Sequence, residues 1–263
     1  MIAPHRVRAY MLRHLYEVAA TFDRKFDLIF WPIIDLLVFG FLTVYIQKFN
    51  VGTSVAGAII GGLLLWSVIY SVQRDISVSI LEDAWSRNLY NLLSTPLKIN
   101  EIILGVLSLS ILKAFITIIF TTSIAAGLFH FDIFSVGPIL IFYFFNIFVF
   151  GWGFGCLTAS LIFRFGTRVQ IFAWSLIALI FPISGVFYPL STLPHFWSTI
   201  AHFLPISYIF EGLRTVLILG QAPPAEGYLI ISVLNLLYLF AGIWTFRRGF
   251  AHAKDRGWFI HPS

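Results

Sequence analysis

Apolar runs long enough to cross a lipid bilayer recur along this chain, and no other feature limits its fold so strongly. A helix needs about 20 residues to traverse a hydrocarbon layer roughly 30 Å thick. Lipid offers no hydrogen-bond partner, so each run must satisfy its backbone internally, as a helix or within a closed barrel. Barrel strands alternate apolar and polar residues, whereas these runs are apolar throughout. An all-α polytopic membrane protein is therefore expected. Composition agrees: of 263 residues, 59% are hydrophobic and 11% charged, against about half apolar in a soluble domain.

Taken in order, residues 1–26 carry Arg6, Arg8, Arg13, Arg24 and Lys25. Val7, Tyr10, Met11, Leu15 and Val18 recur among them at helical spacing. This reads as an amphipathic helix lying in the membrane interface, with a solvated basic tail as the plainer alternative. Six spans are predicted, at about 27–46, 53–72, 101–128, 137–163, 169–186 and 228–246, all within one domain covering 1–263. Trp31–Pro32 suits an interfacial anchor and kink. Gly57, Gly61 and Gly62 permit close helix contact, and Asn100 is the expected N-cap of the third span. Residues 187–227 are too apolar for a free loop, and with Pro182 just ahead they are too broken by Pro189, Pro194 and Pro205 for a straight span. They are predicted to form a re-entrant outer hairpin of two short helices. The basic, mixed N-terminus has no short apolar core of the signal-peptide kind, so the first span is expected to act as an uncleaved insertion signal.

Charge placement says more than the net +5, which is not read as nucleic-acid binding. With the N-terminus inside, fourteen of the 17 lysines and arginines fall on the cytoplasmic side, which sets both termini in the cytoplasm. Cys156 is the single cysteine and lies in an apolar run, so neither a disulfide framework nor a cysteine metal site is indicated.

Between the second and third spans lies a polar, helix-forming island, Gln73 to Lys98. Ile76, Ile80, Leu81, Trp85, Leu89, Leu92 and Leu93 form one helical stripe there. Glu82, Asp83, Arg87 and Asn91 fall largely off it, toward water or a partner protein. On the plain reading this is a solvated face with an Asp83–Arg87 pair worth only tenths of a kcal/mol. On the other it docks a partner, because Trp85 is costly to expose and aromatics beside arginine typify interface hot spots. Lys113 is the oddest residue: in the middle of an apolar run a charge costs about 2.5–3.5 kcal/mol, so it must face protein or water. Asp35 in the first span is its possible partner. Phe142–Phe154 reads as a Phe-rich lipid-facing helix rather than a glycan surface. Glu211 and Arg214 are expected to pair locally. The histidines lack metal-ligand spacing, and GxxxxGKS/T, HExxH and GxSxG are all absent, so no nucleotide, metal or catalytic site is expected in this chain.

This layout resembles the ABC-2 type permeases, the membrane subunits of type V ABC exporters. The matching stretches are WPIIDLLVFGFL, LEDAWSRNLYNLLSTPLKINEIILG and SGVFYPLSTLPHFWSTIAHFLPISYIFEGLR, in that order. The resemblance implies that residues 75–95 include a coupling helix seated in a separate ATPase subunit, with Glu82, Asp83, Trp85 and Arg87 as contacts. It implies a homodimer with two ATPase subunits that carry the ATP and Mg²⁺, in a bacterial cytoplasmic membrane. Trp174, Phe187 and Tyr188 would join Asp35 and Lys113 as candidate pathway residues. The cargo would be an amphipathic, lipid-like or drug-like molecule, or alternatively a lipid-linked oligo- or polysaccharide. A channel without an ATPase and an intramembrane transferase are the rivals from other classes.

Overall fold

The computed structural model describes residues 2–49, 52–86, 88, 91–92 and 95–255, and no β-strand occurs among them. The helices are α1 (Pro4–Ala20), α2 (Phe22–Gln47), α3 (Thr53–Trp85), α4 (Ile99–Phe129), α5 (Ile139–Phe165), α6 (Phe172–Ile180), α7 (His195–Ala201), α8 (Pro205–Arg214) and α9 (Ala225–Asp255). Five of these, α2, α3, α4, α5 and α9, are long and apolar enough to cross a membrane. The all-α polytopic class holds.

The fifth predicted span, 169–186, is shorter than expected. Gly166, at φ +79°, ends α5. Only Phe172–Ile183 then continues as an apolar helix, roughly 18 Å of rise, before the chain turns at Ser184 and Gly185. The outer hairpin exists as two apolar pieces, His195–Ala201 and Pro205–Leu219, bent by 99° at the break. Glu211 anchors it by accepting from the Leu190 N–H at 2.6 Å and pairing with Arg214 at 3.0 Å. Arg214 in turn donates to the Gly185 carbonyl at 2.6 Å.

The axis of the bundle is α3. Its otherwise apolar sequence carries Gln73, Arg74, Asp75, Glu82 and Asp83, which lipid cannot satisfy and protein must surround. The packing of α2, α4, α5 and α6 does this, and Leu65, Ile69, Val72, Ile76 and Leu81 have no exposed surface. The second span and the following cytoplasmic helix were expected as separate elements meeting near residue 73. They are instead one rod of 33 residues, about 50 Å long and so longer than a bilayer core. Gln73, Arg74 and Asp75 do not break it because each finds a partner within the protein. The Gln73 amide donates to Ser77 Oγ at 3.1 Å and Thr158 Oγ1 at 3.2 Å, while Arg74 meets Asp27 at 3.3 Å.

Glycines let α5 approach two helices at once. On one face, a Cβ at Gly151 or Gly155 would strike Val72 at 2.6 Å or Ile76 at 2.9 Å of α3. On the other, a Cβ at Gly242 of α9 would lie 2.1 Å from the Gly153 carbonyl oxygen. Asn235 donates to Asn146 Oδ1 at 2.9 Å in the same α5–α9 seam, a bond that helps hold helices where hydrophobicity gives no drive to associate. Phe150 and Phe154 are buried while Phe145 is exposed, so the aromatic run is only partly lipid-facing.

The N-terminal helix is fastened to protein rather than merely laid on a surface. Tyr10 fills the notch beside Gly105, where a Cβ would meet its ring at 2.5 Å. Glu101 accepts from the backbone N–H groups of Lys98 (2.9 Å) and Ala3 (2.8 Å). Lys98, and not Asn100, occupies the cap position of α4, and the Glu101 carboxylate reaches back to the N–H of that cap residue and across to the Ala3 cap of α1.

Gly242→Leu is expected to overpack the α5–α9 seam by about 1–3 kcal/mol, lowering the melting midpoint in detergent by roughly 2–10 °C. Gly127→Leu, at a position with nothing within 4 Å of the added carbon, should leave it unchanged. Equal midpoints for the two variants would refute the close-approach role.

Candidate functional site

The helix ends collect at one pole of the bundle: α1, the end of α3, the start of α4, and the α5–α6 turn. At its centre is Asp83. Tyr10 Oη donates to Asp83 Oδ2 at 3.0 Å and Arg13 to Oδ1 at 2.5 Å, with the His14 ring 3.6 Å away. Burial alone would raise the Asp83 carboxyl, but the His14 ring and the Arg13 guanidinium hold it below the ordinary range. Burial first, and then the Asp83 charge, push the Tyr10 phenol well above its usual value, so it remains a donor.

Asp83 was expected on a water- or partner-facing surface, and this is corrected: it is 1% exposed. The reason lies in the continuity of α3. Because the helix never breaks, residues 76–84 keep their phase relative to the span, and α1 folds over the face that a free loop helix would show to solvent. Glu82 is likewise held, accepting from Arg24 at 3.1 Å. Trp85 is different. It is half exposed, donates its indole N–H to Gln170 Oε1 at 3.1 Å and stacks on Trp174 at 6.2 Å and 28°. Arg87, the fourth expected contact, lies outside the described residues.

His14, Glu17 and Glu82 bring three possible ligand atoms within 4.8 Å of one another. Arg24 already spans the two carboxylates, at 3.0 Å from Glu17 and 3.1 Å from Glu82. The group is thus a neutralised ion network, unsuited to a metal ion.

The expected pathway residues do not form one group. Lys113 pairs with Asp75 at 3.4 Å and not with Asp35. Helices α3 and α4 are antiparallel, so a residue roughly 20 Å into α4 meets one roughly 15 Å back from the end of α3. Asp27, Arg74, Asp75 and Lys113 thereby form one layer of alternating charge. Trp174 sits with Trp85 at the pole. Phe187 packs at the other end of a cavity, on Phe39 (4.7 Å) and Phe181 (5.2 Å). The Tyr188 hydroxyl donates to the Pro182 carbonyl. Asp35 opens on the cavity itself, a space of about 220 Å³ between α2, α3 and α6.

Tyr10, Arg13, His14, Arg24 and Gln170 are the site residues that sequence reasoning missed. Only the helical spacing of Val7, Tyr10, Met11, Leu15 and Val18 hinted that α1 has a buried face.

Residues 17–218 match the family model described as ABC-2 type transporter. No curated protein matches the chain.

Asp83→Ala removes hydrogen bonds to charged partners, each worth about 1.5–3 kcal/mol, and should free α1 from the pole. Limited trypsinolysis should then cut after Arg13 and Arg24 markedly faster than in the parent. Unchanged cleavage rates would show that Asp83 does not hold α1.

Proposed function

The chain belongs to the ABC-2 type transporter family, the transmembrane permeases of ABC transporters, and on that premise we propose that it is the membrane half of an ATP-driven exporter. Its ATPase is a separate subunit present in two copies, which bind the ATP and Mg²⁺. Two copies of this chain pair in the bacterial cytoplasmic membrane, with both termini in the cytoplasm, as its lysines and arginines favour. The cargo is an amphipathic, lipid-like or drug-like molecule taken from the cytoplasm or the inner leaflet.

One observation carries this reading: α3 runs unbroken from the pole to Thr53 at the far end of the bundle. The half-exposed Trp85, braced by Gln170 and Trp174, stands at the tip of that rod. An aromatic ledge of this kind suits docking, since buried aromatic anchors dominate interface energetics. Around Trp85, Asp83 holds α1 and Glu82 holds Arg24 of α2, so these acidic groups are engaged within the chain. In this reading, ATP binding favours the closed form of the paired ATPases, and only that differential affinity can shift the permease between states. The displacement enters at Trp85. Because α3 is a continuous helix latched to α1, both move with it, and the bundle opens a path for cargo.

Trp85→Ala should cut co-purification of the ATPase from mild detergent by on the order of tenfold or more. Trp197→Ala, in the outer hairpin, should leave it unchanged, with mass spectrometry identifying the companion. Absence of any ATPase with the parent protein would overturn the exporter reading. Undiminished recovery with Trp85→Ala would overturn the docking assignment.

A further inference from the structure

Of the charges at membrane depth, Asp27, Arg74, Asp75 and Lys113 neutralise one another in their layer. Asp35 stands apart. The apolar part of α2 begins at Leu28, so Asp35 lies about 10 Å inside it. Among the described residues no cation pairs with Asp35 and no donor bonds to it. Arg74, which rests on the Tyr70 ring at 5.4 Å, is committed to Asp27 and Asp75. Two of the three hydroxyls in the lining are also engaged, Ser67 donating to the Leu64 carbonyl at 2.7 Å and Thr121 to that of Thr117 at 2.8 Å, while the third, on Tyr70, belongs to the ring that carries Arg74. An ionisable group within a span is expensive and calls for a partner.

The surroundings define that partner. The cavity is walled by Trp31, Phe39, Trp66, Tyr70 and Phe181, with Asp35 the one charged group in its lining. Trp66 and Phe181 lie against each other with centroids 4.6 Å apart. Aromatic faces present negative electrostatic potential and attract cations, Trp most strongly. A single carboxylate among aromatic faces, with no cation in the lining, repels anions. It complements a positive charge carried on an apolar body.

We propose that this cavity binds a hydrophobic organic cation, its charge against Asp35 and its body against Trp31, Trp66, Tyr70 and Phe181. Occupied in this way, the cavity gives the unpaired carboxylate the counter-charge that the fold withholds. That such a cation is cargo rests on the exporter reading above; that the cavity binds one does not.

The test is equilibrium dialysis of the purified full-length protein in detergent with radiolabelled phenyltrimethylammonium. Its neutral isostere tert-butylbenzene serves as competitor. The parent protein should bind the cation saturably, and the isostere should compete at least tenfold less well. Asp35→Asn should weaken binding by on the order of ten- to a hundredfold, Trp66→Leu should weaken it less, and Asp35→Glu should retain it. The variants are compared as monodisperse preparations with parental melting midpoints, and Asp35→Glu, which keeps charge at the same position, guards against a purely structural effect. Binding that is absent in the parent, equal in Asp35→Asn, or displaced equally by the isostere would overturn the proposal. ATPase co-purification without cation binding would sink the cavity assignment alone. Cation binding without an ATPase companion would sink the exporter reading alone.

Discussion

A helix that carries Gln73, Arg74, Asp75 and Asp83 on an otherwise apolar body cannot stand unsurrounded in lipid, and α3 is such a helix. Surrounding it dictates most of the remaining architecture. Helices α2, α4, α5 and α6 pack around it. In lipid, the packing of these helices gains little from hydrophobicity alone, so close approach and internal hydrogen bonds must supply the adhesion. The glycines of α5 meet that need twice over, with Gly151 and Gly155 facing α3 and Gly153 facing α9.

The polar residues of the bundle are arranged in answer to the same constraint. The Gln73 amide nitrogen donates to Ser77 and Thr158. Asp75 pairs with Lys113, and Asp83 accepts from Tyr10 and Arg13. Each lies on α3 and each bonds to a different neighbour or to the helix itself, so the rod is pinned at successive levels. Removing one member of a buried pair leaves the other uncompensated, which costs more than the pair itself contributes. Such pairing therefore specifies which helix sits where, beyond its net effect on stability. The ABC-2 permease thus has a central element that is both its core and its connection to the pole where α1 is latched.

Two features depart from this tight pairing, and both lie where a second molecule can reach them. Trp85 retains half its surface at the pole, and Asp35 lines an aromatic cavity without a cation beside it. The distance between them along α2 and α3 places one at the end of the rod and the other beside its middle. A tilt of α3 within its collar would alter both the ledge and the cavity wall, because Leu63, Leu64, Trp66 and Tyr70 of α3 line that cavity.

The residue pattern by itself determined the membrane class, the long spans and the broken outer hairpin, because continuous apolar runs and clustered prolines have few physical solutions in lipid. It also located Trp85 as an aromatic too large to leave uncovered without cause. What it could not decide was how polar residues pair across the bundle. Gln73–Arg74–Asp75 looks like the end of a span, and only the neighbours Thr158, Asp27 and Lys113 make it continuous helix. Asp83 looks solvent-facing from its place off the apolar stripe, and only the fold of α1 over that face buries it. Lys113 and Asp35 are a plausible pair by charge, yet the antiparallel run of α3 and α4 gives Lys113 to Asp75. Spacing along a chain reports which residues share a face of one helix. Which helix lies against that face is set by packing among elements distant in sequence, and there the tertiary structure alone decided.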